Sequence, residues 1–586
     1  MSWLAPIVVG VLALIIALPS VRNSFVDLDD GPYVLQKPAS DGLTREAVTF
    51  AFTAVRPMYW HPLAWLSHEL DTELYGSSPA GHHFTSVMLH ALTAALLCVV
   101  LMQLGAGNVP AALGSLLWAL HPLRVESFAW IAERKDALCA FFFLATIAIY
   151  LQYKKRASAG LYIAWLTCGC LALMSKPTAV TLPIVLLLLD FWPQQGHAST
   201  SRLTVEKLPL MAAVIAVCYL AVIGQSQAMS LTPVASFPVR LENAALSYVR
   251  YLGKILWPVS LGCFYPFDTH LAARWGIVSA LVLAVVTILI IRQWKPRPWL
   301  LIGWVWFIIT LVPNSGIVQA GRQALADRFS ELPMIGIVLM VVWAVTEWAA
   351  HSPSRLKAAA GITTLVVIAL ALLTVRQLGY WSDSETLFER AISVEDSAYM
   401  RDNLATKLIE QDRLGEAETN LLAAVRLAPS EYPHHNNLAV LYGKLRRPQD
   451  ALEQAQIAYS LAPGNHSVAE TLALARLAVN NYSGALQSFD RAVELGSDST
   501  TLAPVINDTG VSLAQNGRMD EAEVFFRKAV AYDPLYVEAH YNLVHDLAAM
   551  GKQAEAKGAL QAAIRATGPK PEYQDFIVPR STPANR

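Results

Sequence analysis

Acidic residues cluster near the start of the chain, where they could carry out chemistry. Asp27, Asp29 and Asp30 directly follow an apolar segment at positions 3–20. Charge beside a membrane segment is costly unless it has a role, so such a cluster fits a functional site, and it fits equally a solvated helix end before the Gly31-Pro32 turn. Asp29 or Asp30 could act as a general base toward a hydroxyl group, or the pair could bind a divalent cation such as Mg²⁺ or Mn²⁺. Either role predicts carboxylates that face solvent.

The other candidates are polar residues in loops between later apolar segments: Arg56, His61, His121, Glu126, Arg134, Asp136, Lys176, Tyr265, Arg322, Asp327 and Arg328. Fixed cations neutralise phosphate oxygens, and a carboxylate can activate an acceptor. Carboxylates and cations on one face therefore suit a phosphate-bearing substrate. We expect Asp29, Asp30, Glu126 and Asp136 to converge.

Composition divides the chain into an apolar part and a more polar part. Of its 586 residues, 54% are hydrophobic and 15% are charged, and the mean hydropathy is +0.39. Soluble domains carry about 25% charged residues. Long apolar runs dominate before about Tyr380, and amphipathic patterns follow it. The first part therefore has the composition of a membrane domain.

Segments long enough to cross a membrane recur through this first part. A spanning helix needs about 20 mostly apolar residues. The segments that meet or approach this length are 3–20, 84–103, 108–121, 137–153, 158–174, 177–192, 208–224, 274–291, 298–313, 331–349 and 358–376. The third segment is short. The pattern predicts an all-α polytopic bundle of about 11 transmembrane helices.

Loop charges predict how the bundle lies in the membrane, because basic residues mark cytoplasmic loops. With a cytoplasmic N-terminus, the even-numbered connections carry the basic residues Lys154, Lys155, Arg156, Arg202, Lys207, Arg292, Lys295, Arg297, Arg355 and Lys357. The odd-numbered loops, including 21–83 and 225–273, then face outward. An odd number of spans also places the C-terminal part outside.

The C-terminal part repeats itself with the 34-residue period of tetratricopeptide repeats. Small or polar residues recur at this spacing, with a single step of 37 residues near 496–502: Ala417, Ala451, Ala485, Ala522 and Ala556 form one series, and Asn403, Asn437, Thr471, Asp508 and Asn542 form another. Each unit is expected to be a pair of helices. Stacked pairs form concave surfaces that bind peptides or proteins.

These patterns predict three regions. A transmembrane domain covers 1–380, and an α-solenoid of five repeats with a leading half-unit covers 381–570. A flexible tail covers 571–586. The formal net charge of −1 gives no indication of a nucleic-acid partner.

Ordered motifs along nearly the whole chain resemble those of the transmembrane-and-tetratricopeptide-repeat proteins, within the GT-C superfamily of glycosyltransferases. The shared motifs are Asp29-Asp30, Arg56-Pro57, His121-Pro122 with Glu126, Arg134-x-Asp136, Ser175-Lys176-Pro177, Trp257-Pro258, Phe264-Tyr265-Pro266, Pro313-Asn314-Ser315-Gly316, Ala326-Asp327-Arg328 and Trp381 before the repeats. Their order and spacing together are specific. The sequence departs from the family at Ser330 and Glu331, one of which is aromatic in relatives.

The resemblance implies an inverting transferase that takes a sugar from a polyprenyl-phosphate donor, as protein O-mannosyltransferases do. Asp29 or Asp30 would be the base or metal ligand, assisted by Glu126 and Asp136. Candidates for holding the donor phosphate are Arg56, Arg134, Lys176, Arg322 and Arg328, and further site candidates are His61, His121, Tyr265 and Asp327.

The acceptor is expected to be a protein Ser or Thr that the repeats present. The resemblance also implies a multi-pass protein of a bacterial inner membrane, in contact with membrane lipids, with periplasmic repeats (lumenal in a eukaryote). The alternative is a non-catalytic membrane-anchored scaffold whose repeats assemble an envelope complex. A lipid or polymer transporter is disfavoured, because the predicted spans carry almost no charged residues.

Overall fold

The computed structural model describes residues 3–36, 39–54, 60–192, 204–230, 235–318 and 321–577. The chain divides into two compact units, Met1–Lys407 and Leu408–Arg586. The sequence placed the boundary near residue 380 instead. The first unit extends further because the two helices after Trp381 pack on its loops.

The first unit is built almost entirely of helices. They are α1 Leu4–Ala17, α2 Arg45–Thr53, α3 Pro62–Tyr75, α4 Pro79–Gln103, α5 Asn108–Ala119, α6 Val125–Ala129, α7 Arg134–Lys155, α8 Ala159–Ser175, α9 Leu182–Asp190, α10 Leu208–Ser230, α11 Phe237–Leu256, α12 Thr269–Arg292, α13 Pro298–Leu311, α14 Glu331–Ala349, α15 Pro353–Gly379, α16 Ser384–Val394 and α17 Ala398–Glu410, the last of which crosses the boundary. Several begin with proline in the first turn, where no amide donor is needed.

Each predicted span coincides with a helix, but the helices differ in length. Among the described residues, six helices are long and apolar enough to cross a membrane: Leu4–Arg22, Pro79–Gln103, Ile131–Lys155, Thr269–Arg292, Asp327–Ala349 and Pro353–Gly379. Four more are apolar but shorter, namely Ala159–Ser175, Pro177–Asp190, Leu208–Gly224 and Pro298–Asn314. The short third segment is a 12-residue helix, Asn108–Ala119. The polytopic all-α class is confirmed, whereas crossing by the five shorter helices stays a prediction.

Close helix packing brings the ends of these helices together. Helices α13 and α14 cross at Gly303 and Gly336, where a Cβ atom on Gly336 would lie 2.3 Å from the Gly303 carbonyl oxygen. Small residues at such crossings let two backbones approach closely. Fully buried Trp118 and Trp306 fill the surrounding core, and their indole N–H groups donate to the carbonyls of Glu331 and Leu332. The segment that begins α14 is thereby fixed in place.

The predicted outward loop 225–273 contains structure that the sequence analysis missed. Helix α11, Phe237–Leu256, buries Tyr248 and Tyr251 on one face. Beyond it, strand β1 (Tyr265–Pro266) pairs antiparallel with strand β2 (Gln323–Leu325). This short sheet joins two loops that are far apart in sequence.

The second unit consists of helix pairs, as the 34-residue period predicts. After α17 come α18 Leu414–Leu427, α19 Tyr432–Lys444, α20 Pro448–Leu461, α21 His466–Ala478, α22 Tyr482–Glu494, α23 Ser499–Gln515, α24 Met519–Tyr532, α25 Val537–Ala549, α26 Gln553–Thr567 and α27 Gln574–Ile577. The recurring alanines lie on the second helix of each pair and are at most 5% exposed. The step of 37 residues is accommodated by α23, which is 17 residues long, whereas α19, α21 and α25 have 13.

The turn between the paired helices also repeats. A residue with positive φ occupies it in every pair: Asp412, Arg446, Asn480, Gly517 and Gly551. These positions keep the same spacing as the alanines, so the left-handed turn is part of the repeat. Near the end, Tyr573 is fully buried and Phe576 packs on Tyr541 at 5.6 Å. The predicted tail therefore includes residues that pack on the last repeat, and 578–586 lie outside the described residues.

Candidate active site

Asp30 is buried rather than exposed to solvent, which corrects the expectation from the sequence. Its Oδ2 accepts a hydrogen bond from the Val26 N–H at 2.9 Å, and its Oδ1 accepts one from the Ala132 N–H at 2.8 Å. Burial raises the pKa of this carboxyl to about 7, against the lowering effect of the two backbone hydrogen bonds. Asp30 thus ties the first loop to the segment that begins α7.

Asp29, by contrast, is exposed. Its negative charge acts on the Tyr33 hydroxyl, whose pKa is raised to about 12, mainly by burial. The Lys135 ammonium lies 4.7 Å from the centre of the Tyr33 ring, and its charge also acts on this hydroxyl. Of the adjacent pair, Asp29 is therefore the carboxylate that a substrate could reach.

A cluster of buried charges is centred on Arg328. The Arg328 backbone N–H donates to Glu126 Oε2 at 2.9 Å, and its guanidinium pairs with Glu126 Oε1. The guanidinium also lies 3.2 Å from Glu133 Oε1 and packs over the ring of Trp130. Burial raises the pKa of Glu126 to about 7, although the charge of Arg328 opposes this.

Lys176 extends the cluster toward α7. Its Nζ lies 2.7 Å from Asp136 Oδ2 and 3.4 Å from Glu133 Oε2. Lys135 contacts the other oxygen of Glu133 at 3.2 Å. Both lysine side chains are 12% exposed, whereas Arg328 is 8% exposed. Both lysines are therefore more accessible to solvent than Arg328.

Tyr265 links the two-stranded sheet to the cluster. Its hydroxyl donates to Asp327, with both carboxylate oxygens at 3.0 Å, and accepts from Lys254 Nζ at 2.6 Å and the Gly262 N–H at 2.8 Å. Burial, followed by the charge of Asp327, holds the pKa of Tyr265 well above its usual value. Burial lowers the pKa of Lys254, and Asp327 opposes that shift. These contacts fix the start of segment 327–331.

Arg134 points away from this cluster, toward the inside of the unit. It lies 2.5 Å from Asp71 Oδ2 and donates to the carbonyls of His82 and Ser67 and to Ser86 Oγ. The side chain is fully buried. In this arrangement Arg134 joins α3, α4 and α7, and its guanidinium contacts groups of the same chain on these helices.

The two predicted histidines are also buried. His61 lies beside the rings of Tyr33 and Trp65, which stack on each other with centroids 4.5 Å apart, and it forms a 2.7 Å hydrogen bond with the Tyr33 hydroxyl. His121 donates from Nε2 to the Ile255 carbonyl at 3.0 Å and accepts at Nδ1 from the Leu123 N–H at 3.3 Å. Burial lowers the pKa of His121 to about 3. Both rings are neutral packing elements that hold loops in place.

The structure thus brings together Asp30, Glu126, Asp136, Lys176, Tyr265, Asp327 and Arg328 through shared contacts. Arg322 is half-buried. Its charge and that of Asp29 both act on the Tyr399 hydroxyl. Arg56 lies outside the described residues. The sequence analysis missed Glu133, Lys135 and Lys254 as site residues, although the first two are neighbours of the candidates Arg134 and Asp136.

A divalent cation at Asp29 and Asp30 does not fit this geometry. Asp30 is fully buried and each of its oxygens already accepts a hydrogen bond from a backbone N–H group, so it is not open to a cation that the exposed Asp29 could share. Among the residues that the structure describes, no group of three or more His, Cys, Asp or Glu side chains could hold a metal ion. We derive no step through a metal at this site.

Apolar helices followed by paired helices of fixed period define a class: a multispanning membrane protein with a tetratricopeptide-repeat domain. Family models for the tetratricopeptide repeat match residues 403–466, 436–500, 470–537 and 513–577. Solved repeat structures align with about a third of the chain. MamA (15% identity, 32% of this chain and 98% of that chain) has a TM-score of 0.25, and YrrB, a repeat protein with an unusual peptide-binding site (22% identity, 33% and 96%), has 0.26.

The chain is similar in sequence to TMTC protein O-mannosyl-transferases, in agreement with the resemblance that its motifs carry. It is 21% identical over 553 residues to human protein O-mannosyl-transferase TMTC3. The aligned region covers 86% of this chain and 57% of the relative. It is 24% identical over 449 residues to human TMTC1, covering 65% and 49% respectively. The chain thus spans about half the length of these relatives.

Proposed function

We propose that this protein is a membrane glycosyltransferase that transfers mannose from a polyprenyl-phosphate donor to Ser or Thr residues of proteins. The observation that carries the proposal is the placement of Asp29. It is an exposed carboxylate whose neighbour Asp30 is tied to the segment that carries the charge cluster. The names of the homologous relatives support the sugar and the protein acceptor.

Asp29 acts as the general base in this proposal. The acceptor hydroxyl oxygen attacks the anomeric carbon of mannose, and the hydroxyl proton moves to Asp29. The bond between that carbon and the donor phosphate oxygen breaks, and the polyprenyl phosphate leaves with the electron pair. Attack opposite the leaving group inverts the configuration of the anomeric carbon, as expected for a GT-C enzyme.

The leaving phosphate needs positive charge, since the bond that breaks leaves an additional negative charge on it. Lys176 and Lys135 are more accessible to solvent than Arg328. Asp136 and Glu133 hold both ammonium groups in position. The acids Glu126 and Asp136 therefore act by positioning cations, and Arg328 links Glu126 to Glu133.

The donor's lipid tail stays in the bilayer, so we propose that transfer occurs at the membrane surface on the periplasmic or lumenal face. The basic even-numbered loops support this orientation. The repeats bind the protein acceptor and raise its local concentration. Family models for a repeat that commonly binds peptides support this role.

The test is transfer by the purified full chain in nanodiscs, supplied with radiolabelled polyprenyl-phosphate mannose and Ser/Thr-containing proteins. We expect mannose on the acceptor with the wild type and at least a hundredfold less with Asp29→Asn, because loss of a general base costs about 10²–10⁴ in rate. Glu46→Gln, which neutralises an exposed carboxylate on α2, is the control and should retain full transfer. A folded wild type without transfer, or equal loss in both variants, would favour the scaffold alternative.

A further inference from the structure

Helix α17 is held against two loops of the candidate site, and all the residues concerned belong to the first unit. At one end, Lys407 Nζ lies 2.9 Å from a carboxylate oxygen of Asp27, two residues before Asp29. At the other end, the Tyr399 ring packs on Phe264 with centroids 5.1 Å apart. Beside it, the Cys263 and Met400 sulfur atoms are 3.8 Å apart. The helix therefore spans the distance between the first loop and the loop that carries Tyr265.

At the end where Tyr399 packs on Phe264, α17 also presents a face to solvent. Tyr399 is 37% exposed and hydrogen-bonds to Asn403, one turn further along. Residues four apart lie on the same side of a helix. The charges of Asp29 and Arg322 both reach the Tyr399 hydroxyl. This face, which we call the α17 face, comprises Tyr399 and Asn403 and belongs to the helix that also contacts Asp27, two residues before the proposed base.

We infer that the α17 face is the acceptor subsite nearest the reacting hydroxyl, where it binds the polypeptide that flanks the target Ser or Thr. The inference rests on the proposed function and adds the residues that select its acceptor. Tyrosine is enriched among the residues that dominate binding at protein interfaces. The Asn amide can both donate to and accept from a peptide backbone.

The repeat pattern identifies the occupant as a polypeptide. Asn403 is the first member of the series that continues at Asn437, Thr471, Asp508 and Asn542, and the repeat model begins to match at residue 403. The helix that carries the first member is therefore also part of the unit that contains Asp29.

The test uses the full chain in nanodiscs and a fluorescein-labelled Ser/Thr peptide, chosen as the tightest binder from a pool. Peptide binding is measured by fluorescence anisotropy, and transfer by mannose incorporation. We expect Tyr399→Ala to raise the peptide Kd and KM about tenfold, with a smaller change in kcat and in the KM for the donor. Tyr399→Phe and Asn403→Ala should raise the peptide Kd by about two- to fivefold, because each removes only hydrogen bonds.

Glu389→Ala, on the exposed side of α16, is the matched control and should leave the peptide Kd unchanged. An unchanged Kd in both Tyr399 variants overturns the inference. A fall in kcat of the same size in both Tyr399 variants, with no change in the peptide KM, also overturns the inference, because Tyr399 would then be a packing residue. If the wild type binds the peptide through Tyr399 but never mannosylates it, the binding face stands and the proposed function fails.

Discussion

Two adjacent carboxylates should respond differently to the same substitution. Asp29→Asn neutralises an exposed group, so it should leave the stability of the protein nearly unchanged. Transfer should fall by about 10²–10⁴, the usual loss on removing a general base. Asp30→Asn changes a fully buried group and should act on stability first.

The size of the Asp30 effect follows from its two hydrogen bonds. An asparagine has one acceptor oxygen, so it can accept from either the Val26 or the Ala132 N–H but not from both. Leaving one buried N–H without an acceptor costs about 1–3 kcal/mol. The variant should therefore unfold at a lower temperature near pH 5, and transfer should fall less than in Asp29→Asn.

The pH dependence of stability distinguishes the contribution of Asp30 from that of Asp29. With its pKa raised from 3.8 to about 7 in the folded state, Asp30 keeps a proton that the unfolded chain has lost. The stability it contributes therefore declines as pH rises from about 4 to 7. Asparagine does not titrate, so the stability of the variant relative to the wild type should improve by about 2 kcal/mol between pH 5 and pH 7.

The assay is thermal unfolding in detergent at several pH values, together with mannose transfer at pH 7. A pH-independent stability difference between Asp30→Asn and the wild type would refute the titration argument. Full transfer by Asp29→Asn, with loss in a stable Asp30→Asn protein, would make Asp30 the base.

Three further predictions concern the surroundings of the site. Arg134→Met should destabilise the protein by about 3–5 kcal/mol, since it leaves Asp71 buried without its cation; thermal unfolding measures this, and an Asp71→Leu second change should recover part of the loss. Lys176→Met should lower kcat/KM for the donor about a hundredfold, as expected when a preorganised electrostatic contact is removed, with Lys176→Arg retaining more; equal activity in both would exclude a role for this charge. Ending the chain after Lys407, where the first unit ends, should leave donor hydrolysis partly intact while transfer to protein acceptors falls about a hundredfold or more; full transfer by the folded truncated protein would contradict acceptor binding by the repeats.

The repeat domain could be read from the sequence because its geometry is local. Ala417, Ala451, Ala485 and Ala522 recur where two helices approach closely, and all four are buried. Each helix pair contacts only its neighbours, so a fixed spacing is enough to reveal the fold. The apolar runs of the membrane part were equally visible, because length and hydropathy alone define them.

The site was harder to predict because its details depend on distant contacts. Nothing in the local sequence distinguishes Asp29 from Asp30, and Asp30 is buried through the amide of Ala132, 102 residues away. Arg134 and Lys135 are neighbours, yet successive residues of a helix point in different directions, so one turns inward and the other joins the cluster. Lys254 lies on a helix that the sequence analysis treated as loop, although its apolar residues recur with helical spacing.

The attachment of Asp27 also bears on how the protein matures during synthesis. The Asp27 N–H and one of its carboxylate oxygens contact the Ser384 hydroxyl, 357 residues further along the chain. Contacts of such long range form late, since the intervening chain must first be ordered. Synthesis proceeds at about 5–20 residues per second, so the first loop emerges well before its partner exists. A nascent chain would thus carry its acidic loop without its final contacts. The candidate site would form only after the helices beyond residue 380 have docked.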